Sequence, residues 1–206
     1  MSKHWQDLVA RYPSLAPCRP DVEKAFALMR DCYRAGGKLL LCGNGGSAAD
    51  AEHWSGELLK GFCSKRPLAA RWREKLGVEL ADKLQEALPA IPLNGFLSLS
   101  SAFANDVDPQ LAYAQLTWAL GRQGDCLVGL STSGNARNVI AAMRVARARD
   151  MRTLGLTGET GGKLVAEVDV CIRVPERETH KVQELHLPLY HCLCLMLEDE
   201  FFGGGH

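Results

Sequence analysis

The chain has 206 residues, enough to bury one full core. Apolar residues make up 47% and charged residues 23%, the balance of an ordinary globular protein. Lys and Arg number 24 against 24 Asp and Glu, which argues against a nucleic-acid footprint or an anionic membrane partner. Any anion site must therefore be built locally. The opening MSKHWQDLVARYP has no apolar run and predicts neither a secretory leader nor a membrane span. Eight cysteines include no CxxC pair and sit in apolar surroundings, as at Cys42, Cys126, Cys192 and Cys194. That usage predicts free thiols and a cytoplasmic location.

Residues 1–36 read as an N-terminal helical segment. Within it, PDVEKAFALMRDCYRAGG (20–37) has a proline near its start, helical spacing, and glycines at its end. KLLLC (38–42) reads as a buried strand, and SAADAEHWSGELLKGF (47–62) as a helix opened by Ser47. Residues 63–89 carry dense charge with apolar residues at helical spacing; they predict an inserted amphipathic helix or helical hairpin packing on a neighbouring subunit. AIPL (90–93) is strand-like, and 95–107 and 108–121 are helical. DCLVGLS (125–131) is a second buried strand, 136–150 a helix, 151–158 a strand and turn, and 169–175 a further strand. A long helix runs from about Glu178 to Glu200. Strands alternating with helices predict one α/β domain over 1–206, with a doubly wound parallel five-stranded sheet flanked by helices.

Two glycine-bearing loops follow strands and open helices. The first, GNGGSAADAEHW (43–54), lacks the Lys-Ser or Lys-Thr pair of a nucleotide-triphosphate loop. It fits G-x-G-x-x-A at Gly43, Gly45 and Ala48, but no acidic residue ends a second strand about twenty positions on. The second, STSGNARN (131–138), places three hydroxyls and a glycine before a helix. Backbone N–H groups and hydroxyls of that kind suit a phosphomonoester without basic side chains. Helix capping accounts for one of the hydroxyls but not for three. His53 and Glu57 lie at i and i+4, on one helix face and in reach of a common ion.

GNGGSAADAEHWSGE and LSTSGNARNV, in this order and spacing, resemble the sugar isomerase (SIS) domain, and most nearly its phosphoheptose isomerases. ANDVDPQ (104–110), LTGETGGKL (156–164) and VQELHLPLYH (182–191) extend the likeness over nearly the whole chain, 63–89 excepted. The resemblance implies that sedoheptulose 7-phosphate is converted to D-glycero-D-manno-heptose 7-phosphate, for ADP-heptose and lipopolysaccharide core or a related heptose glycan. It implies that Asn44, Gly45, Gly46 and Ser47 line the substrate pocket, that Ser131, Thr132 and Ser133 hold the phosphate, and that Asn105 and Asp106 meet sugar hydroxyls. It also implies one zinc ion per subunit on His53, Glu57, Gln183 and His191. Glu57 and Gln183 would also touch substrate, and Glu57 and His191 would form the acid–base pair. Two positions depart from the family: Ala136 stands where a serine is frequent, and His180 where an acidic residue is usual. Another phosphosugar is therefore one alternative; a second is a non-catalytic SIS-domain regulator that binds the replication initiator.

Gln183 and His191 are separated by about 12 Å of ideal helix, with Pro188 between them to disturb the ladder near Glu184. Contributions from different chains of a tetramer, the family's assembly, could also reconcile them. His186 suits core packing or a supporting hydrogen bond. A carboxylate in a dry pocket predicts a raised pKa for a base at Glu57. LHLPLYHCLCLMLEDEFF is apolar around most of its circumference and predicts a symmetric homo-oligomer.

Overall fold

The computed structural model describes residues 2–203. Strands β1 (Leu39–Gly43), β2 (Ala90–Pro92), β3 (Cys126–Leu130), β4 (Arg152–Thr157) and β5 (Val170–Arg173) form one parallel sheet in the order β2-β1-β3-β4-β5. Both faces are covered, as a sheet of short apolar runs requires. Alternation along each strand sorts its side chains between two cores. Leu39, Leu41, Cys126, Val128 and Leu130 join one core, and Leu40, Cys42 and Leu127 the other.

Helices α1 (Lys3–Arg11), α2 (Arg19–Arg34), α3 (Gly46–Leu59) and α9 (Thr179–Phe202) cover the first face. The second is covered by α7 (Ala112–Leu120) and α8 (Arg137–Ala148). The Ser2 hydroxyl accepts the Trp5 N–H and starts α1. Between β2 and α7 lies α6 (Leu97–Asp106), none of whose residues is buried. No helix of the described residues is long and apolar enough to cross a membrane.

The structure bears on three expectations. Residues 63–89 are helical only at α4 (Ala70–Leu76) and α5 (Val78–Ala81), with an isolated antiparallel bridge between Pro67 and Gln85 closing the excursion. Pro188 lies inside a continuous α9 and, as expected, disturbs its ladder at Glu184. The carbonyl deprived of its donor belongs to Glu184, an exposed residue where water can satisfy it. The apolar circumference of α9 is consumed within the chain, because α1, α2 and α3 all pack on it. It is therefore no argument for an oligomer.

One buried ion pair anchors the excursion. Glu198 on α9 accepts N–H groups from Phe62, Cys63 and Ser64, and Nε of Arg66 at 2.9 Å. Arg66 in turn donates Nη1 to the Leu58 carbonyl at 2.8 Å. Both side chains are buried, so the last turn of α3 is tied to α9. All eight cysteines are free, although Cys63 is exposed rather than apolar in setting.

Candidate active site

β1 connects onward to β2 on one side, while its other neighbour is β3, so the strand order reverses between β1 and β3. Ligands of open α/β sheets bind outside the carboxyl ends of the strands at such a point. Both glycine loops leave there, since Gly43 is in register with Leu130. A reciprocal amide pair ties them together: Asn44 Nδ2 donates to Asn138 Oδ1 at 2.9 Å, and Asn138 Nδ2 donates to Asn44 Oδ1 at 2.8 Å. The Tyr113 hydroxyl donates to the Gly43 carbonyl from below. Asn138 and Tyr113 also line a cavity of about 250 Å³ with Asn94, Ser100, Pro109 and Ala112.

Neither helix start is capped by a side chain. Ser47 therefore does not open α3 as expected; it lies buried in the first turn, after Gly45. Ser131 Oγ accepts the Ala136 N–H at 3.4 Å, and Ser133 Oγ accepts the Asn135 N–H at 3.2 Å. These bonds shape the loop and leave both hydroxyl protons free to donate. Gly134 has φ of +65°, and a Cβ there would meet the Gly161 carbonyl oxygen at 2.0 Å, so only glycine fits. Uncharged donors at a helix N-terminus suit a phosphate dianion.

His53, Glu57 and His191 converge between α3 and α9. His53 Nε2 lies 3.2 Å from Glu57 Oε1 and 3.4 Å from His191 Nε2. Among the described residues no three His, Cys, Asp or Glu side chains form a ready-made metal cage; here the donors hydrogen-bond one another. The two spacings from His53 nevertheless match the roughly 3.3 Å edge of a tetrahedron with zinc–donor bonds of about 2.0–2.1 Å. Two imidazoles and a carboxylate are a fitting donor set for zinc. Gln183 does not join them. Its amide lies on the first loop, where a Cβ at Gly46 would fall 2.7 Å from Gln183 Nε2, about two helical turns from His53 and His191.

The electrostatics differ from expectation at Glu57. Burial raises its pKa, but the hydrogen bond and charge of Lys60, with Nζ 2.8 Å from Oε2, and the nearby His53 outweigh it. The net shift is downward, so Glu57 is firmly ionised. Desolvation and the His53 ring lower the pKa of His191, outweighing the opposing pull of Glu57. The His191 imidazole is therefore neutral at pH 7.

Asn105 and Asp106 end α6, exposed and bonded to each other, Nδ2 to Oδ1 at 2.8 Å. No hydrogen bond joins them to the loops. Sequence reasoning missed Lys60, Asn138 and Tyr113. Lys60 is signalled by its i+3 position after Glu57 and Asn138 by its place in the second loop, whereas nothing local marks Tyr113.

Two stretches of the chain, 15–75 and 97–196, match the SIS domain family. Between them lies much of the 63–89 segment. The chain is 36% identical to a phosphoheptose isomerase of Akkermansia muciniphila, over 94% of this chain and 92% of that protein. It is 42% identical to one from Roseiflexus sp., over 84% of this chain and 78% of that protein. The solved phosphoheptose isomerase of Neisseria gonorrhoeae superposes with a TM-score of 0.70 at 33% identity, covering 95% of this chain and 98% of that one. Such identity over almost the full length, on a sheet whose reversal point carries both loops, makes the chain a member of the phosphoheptose isomerase family of aldose–ketose isomerases.

Proposed function

We propose that the protein interconverts sedoheptulose 7-phosphate and D-glycero-D-manno-heptose 7-phosphate in the cytoplasm, supplying heptose for ADP-heptose and heptose-containing glycans. The observation that carries this reading is spatial. Glu57 stands on the very helix that the first glycine loop opens, with His191 facing it from α9 and the hydroxyl loop that suits a phosphate leaving the adjacent strand.

Ser131, Thr132, Ser133 and Ser47 hold the phosphate and set the distance to the reacting carbons. Asn44 and Gln183 bound the sugar, and Asn105 and Asp106 reach it from a neighbouring copy. Ionised Glu57 takes a proton from C1 of the ketose and returns it to C2. Neutral His191 passes the hydroxyl proton from O1 to O2, so the enediolate collapses to the aldose without net gain or loss of protons. His53, Glu57 and His191 would hold a zinc ion, which would supply Lewis-acid polarisation; Gln183 would join that set only from another chain. We further propose a homo-oligomer, with the unburied helix α6 as the surface that a second copy covers.

A second reading, isomerisation of a different phosphosugar, draws on two observations. Ala136 offers no hydroxyl at the start of α8, and His180 lies 3.9 Å from Glu178 at the exposed start of α9. Turnover of sedoheptulose 7-phosphate by purified protein, with and without zinc, tests the first reading. Preference for another ketose phosphate favours the second, and no turnover of any phosphosugar favours a regulator.

A further inference from the structure

We propose that Asn138 is a positioning residue: its amide holds the Asn44 amide in one orientation, so that Asn44 presents one N–H and one oxygen lone pair, in fixed order, to the sugar. The proposal rests on the isomerase reading for its purpose, but the orientation is one that the chain carries without substrate.

Asn44 follows β1, and Asn138 lies in the first turn of α8, 94 residues on. Two amides can pair head to tail in either of two flips, and the pair alone does not choose between them. The backbone of α8 chooses. Val139 N–H donates to Asn138 Oδ1 at 3.0 Å, and an NH2 group in that place would set donor against donor. Asn138 Oδ1 is therefore fixed, and with it the side from which Asn138 Nδ2 donates. Asn44 must answer with Nδ2 toward that oxygen and Oδ1 toward that nitrogen, at the 2.9 and 2.8 Å observed. Turning Asn44 alone would oppose both pairs of like groups.

The backbone of Asn44 is held as well. The Tyr113 hydroxyl donates to the Gly43 carbonyl before it, and the Asn44 carbonyl accepts the Ser47 N–H at 3.0 Å. An amide has two N–H protons and two oxygen lone pairs, and Asn138 takes one of each. The remaining proton and lone pair belong to the exposed residue Asn44 at the mouth of the reversal point. A sugar hydroxyl both donates and accepts, so an ordered donor and acceptor side by side suit it. Without Asn138 the Asn44 amide divides among flips and rotamers, and fixing one of them on binding costs entropy.

Asn138→Ala removes the anchor and keeps Asn44, whereas Asn44→Ala removes the presented amide. Each is expected to lower kcat/KM for sedoheptulose 7-phosphate about tenfold, the scale of one well-made hydrogen bond. The double variant is expected to lie within twofold of either single one, because Asn138 has nothing left to orient. Affinity for inorganic phosphate and far-ultraviolet circular dichroism are expected to stay unchanged. Losses that multiply in the double variant overturn the proposal, as does a kcat/KM for Asn138→Ala within twofold of the original. A phosphate affinity that falls in step with kcat/KM also overturns it, by assigning Asn138 to the shape of the hydroxyl loop. Side-chain NH2 signals of nitrogen-15-labelled protein, assigned by their loss in Asn44→Ala, read the orientation without turnover. One Asn44 amide proton is expected to exchange with water several times more slowly than the other, and Asn138→Ala to abolish the difference; equal exchange in the unaltered protein overturns the proposal. If no phosphosugar is turned over, the isomerase reading fails, and the exchange measurement alone decides the role of Asn138.

Discussion

Glu57 shows how one neighbour reverses an expectation drawn from burial. Its carboxylate is half-enclosed, yet the ammonium of Lys60 at 2.8 Å holds its pKa down. As the proposed base, a carboxylate so held would always be ready to accept a proton but weaker in doing so, and the substrate would compete with Lys60 for it. Glu57→Gln keeps the size and hydrogen-bonding reach and removes the accepting charge. Turnover is expected to fall by at least about 100-fold, the scale of a lost general base. Zinc measured on the same sample separates the two roles: activity lost with zinc retained identifies the base, and activity lost in proportion to zinc identifies a ligand. Unchanged turnover would return Glu57 to an ordinary surface ion pair. At the second loop, Ser133 Oγ already accepts the Asn135 N–H, so its free proton is the part that the proposed phosphate would use. Ser133→Ala is expected to raise KM for the phosphosugar severalfold while the circular dichroism stays the same. An unaltered KM, together with unaltered affinity for inorganic phosphate, would leave Ser133 only its role in loop shape.

Among the elements, those with a strong local period were legible in the sequence. The strands at 38–42 and 125–131 and the helix over 136–150 match β1, β3 and α8 to within one or two residues. So did the two loops, because strand, glycine and hydroxyls adjoin in the chain. What could not be read was set by distant partners. Helix spacing already sets Gln183 and His191 about 12 Å apart, but not the partner each meets: α3 runs beside α9, so Gln183 lies at the loop of Gly46 and His191 at the ring of His53. Arg66 reads as one charge among many in 63–89, yet it is buried because Glu198, 132 residues on, receives it. Glu198 is the test of that anchor. Glu198→Ala leaves a buried guanidinium and three N–H groups without their acceptor, and breaking a buried pair from one side typically costs about 3–5 kcal/mol. Urea denaturation is expected to show a loss on that scale, with the unfolding slope unchanged. A loss below about 1 kcal/mol would mean that water replaces the carboxylate and that α3 does not depend on the pair.

For the molecule as a whole, acid stability and assembly follow from what is buried and what is not. His186 is fully buried, with Nε2 3.3 Å from the Thr157 carbonyl and Nδ1 without a partner. Desolvation lowers its pKa to about 4, against the opposing backbone hydrogen bond. The unfolded chain protonates the same residue near 6.5. Stability is therefore fully present above about 6.5 and declines as pH falls toward 4, by about 1.4 kcal/mol per unit. Between pH 7 and pH 5, His186→Gln is expected to lose about 2 kcal/mol less than the original protein; equal losses would assign acid sensitivity to the carboxylates alone. Assembly turns on α6. Its ten residues have no buried member, and Leu97 is 79% exposed. Just beyond its end, Val107 is 62% exposed. A helix this short is marginal in water on its own; it packs on α7 through one side, and the proposed oligomer would cover the other. A second copy is the partner that would also bring Asn105 and Asp106, at the end of the same helix, toward the proposed sugar site. Sedimentation at micromolar concentration is expected to give an oligomer, most consistent with a tetramer. Leu97→Asp is expected to dissociate it and to lower kcat/KM at least tenfold, while phosphate affinity at Ser131–Ser133 is retained. A fully active monomer, in the original or in Leu97→Asp, would show that each chain completes its own site and that α6 is stabilised by something other than a copy of itself.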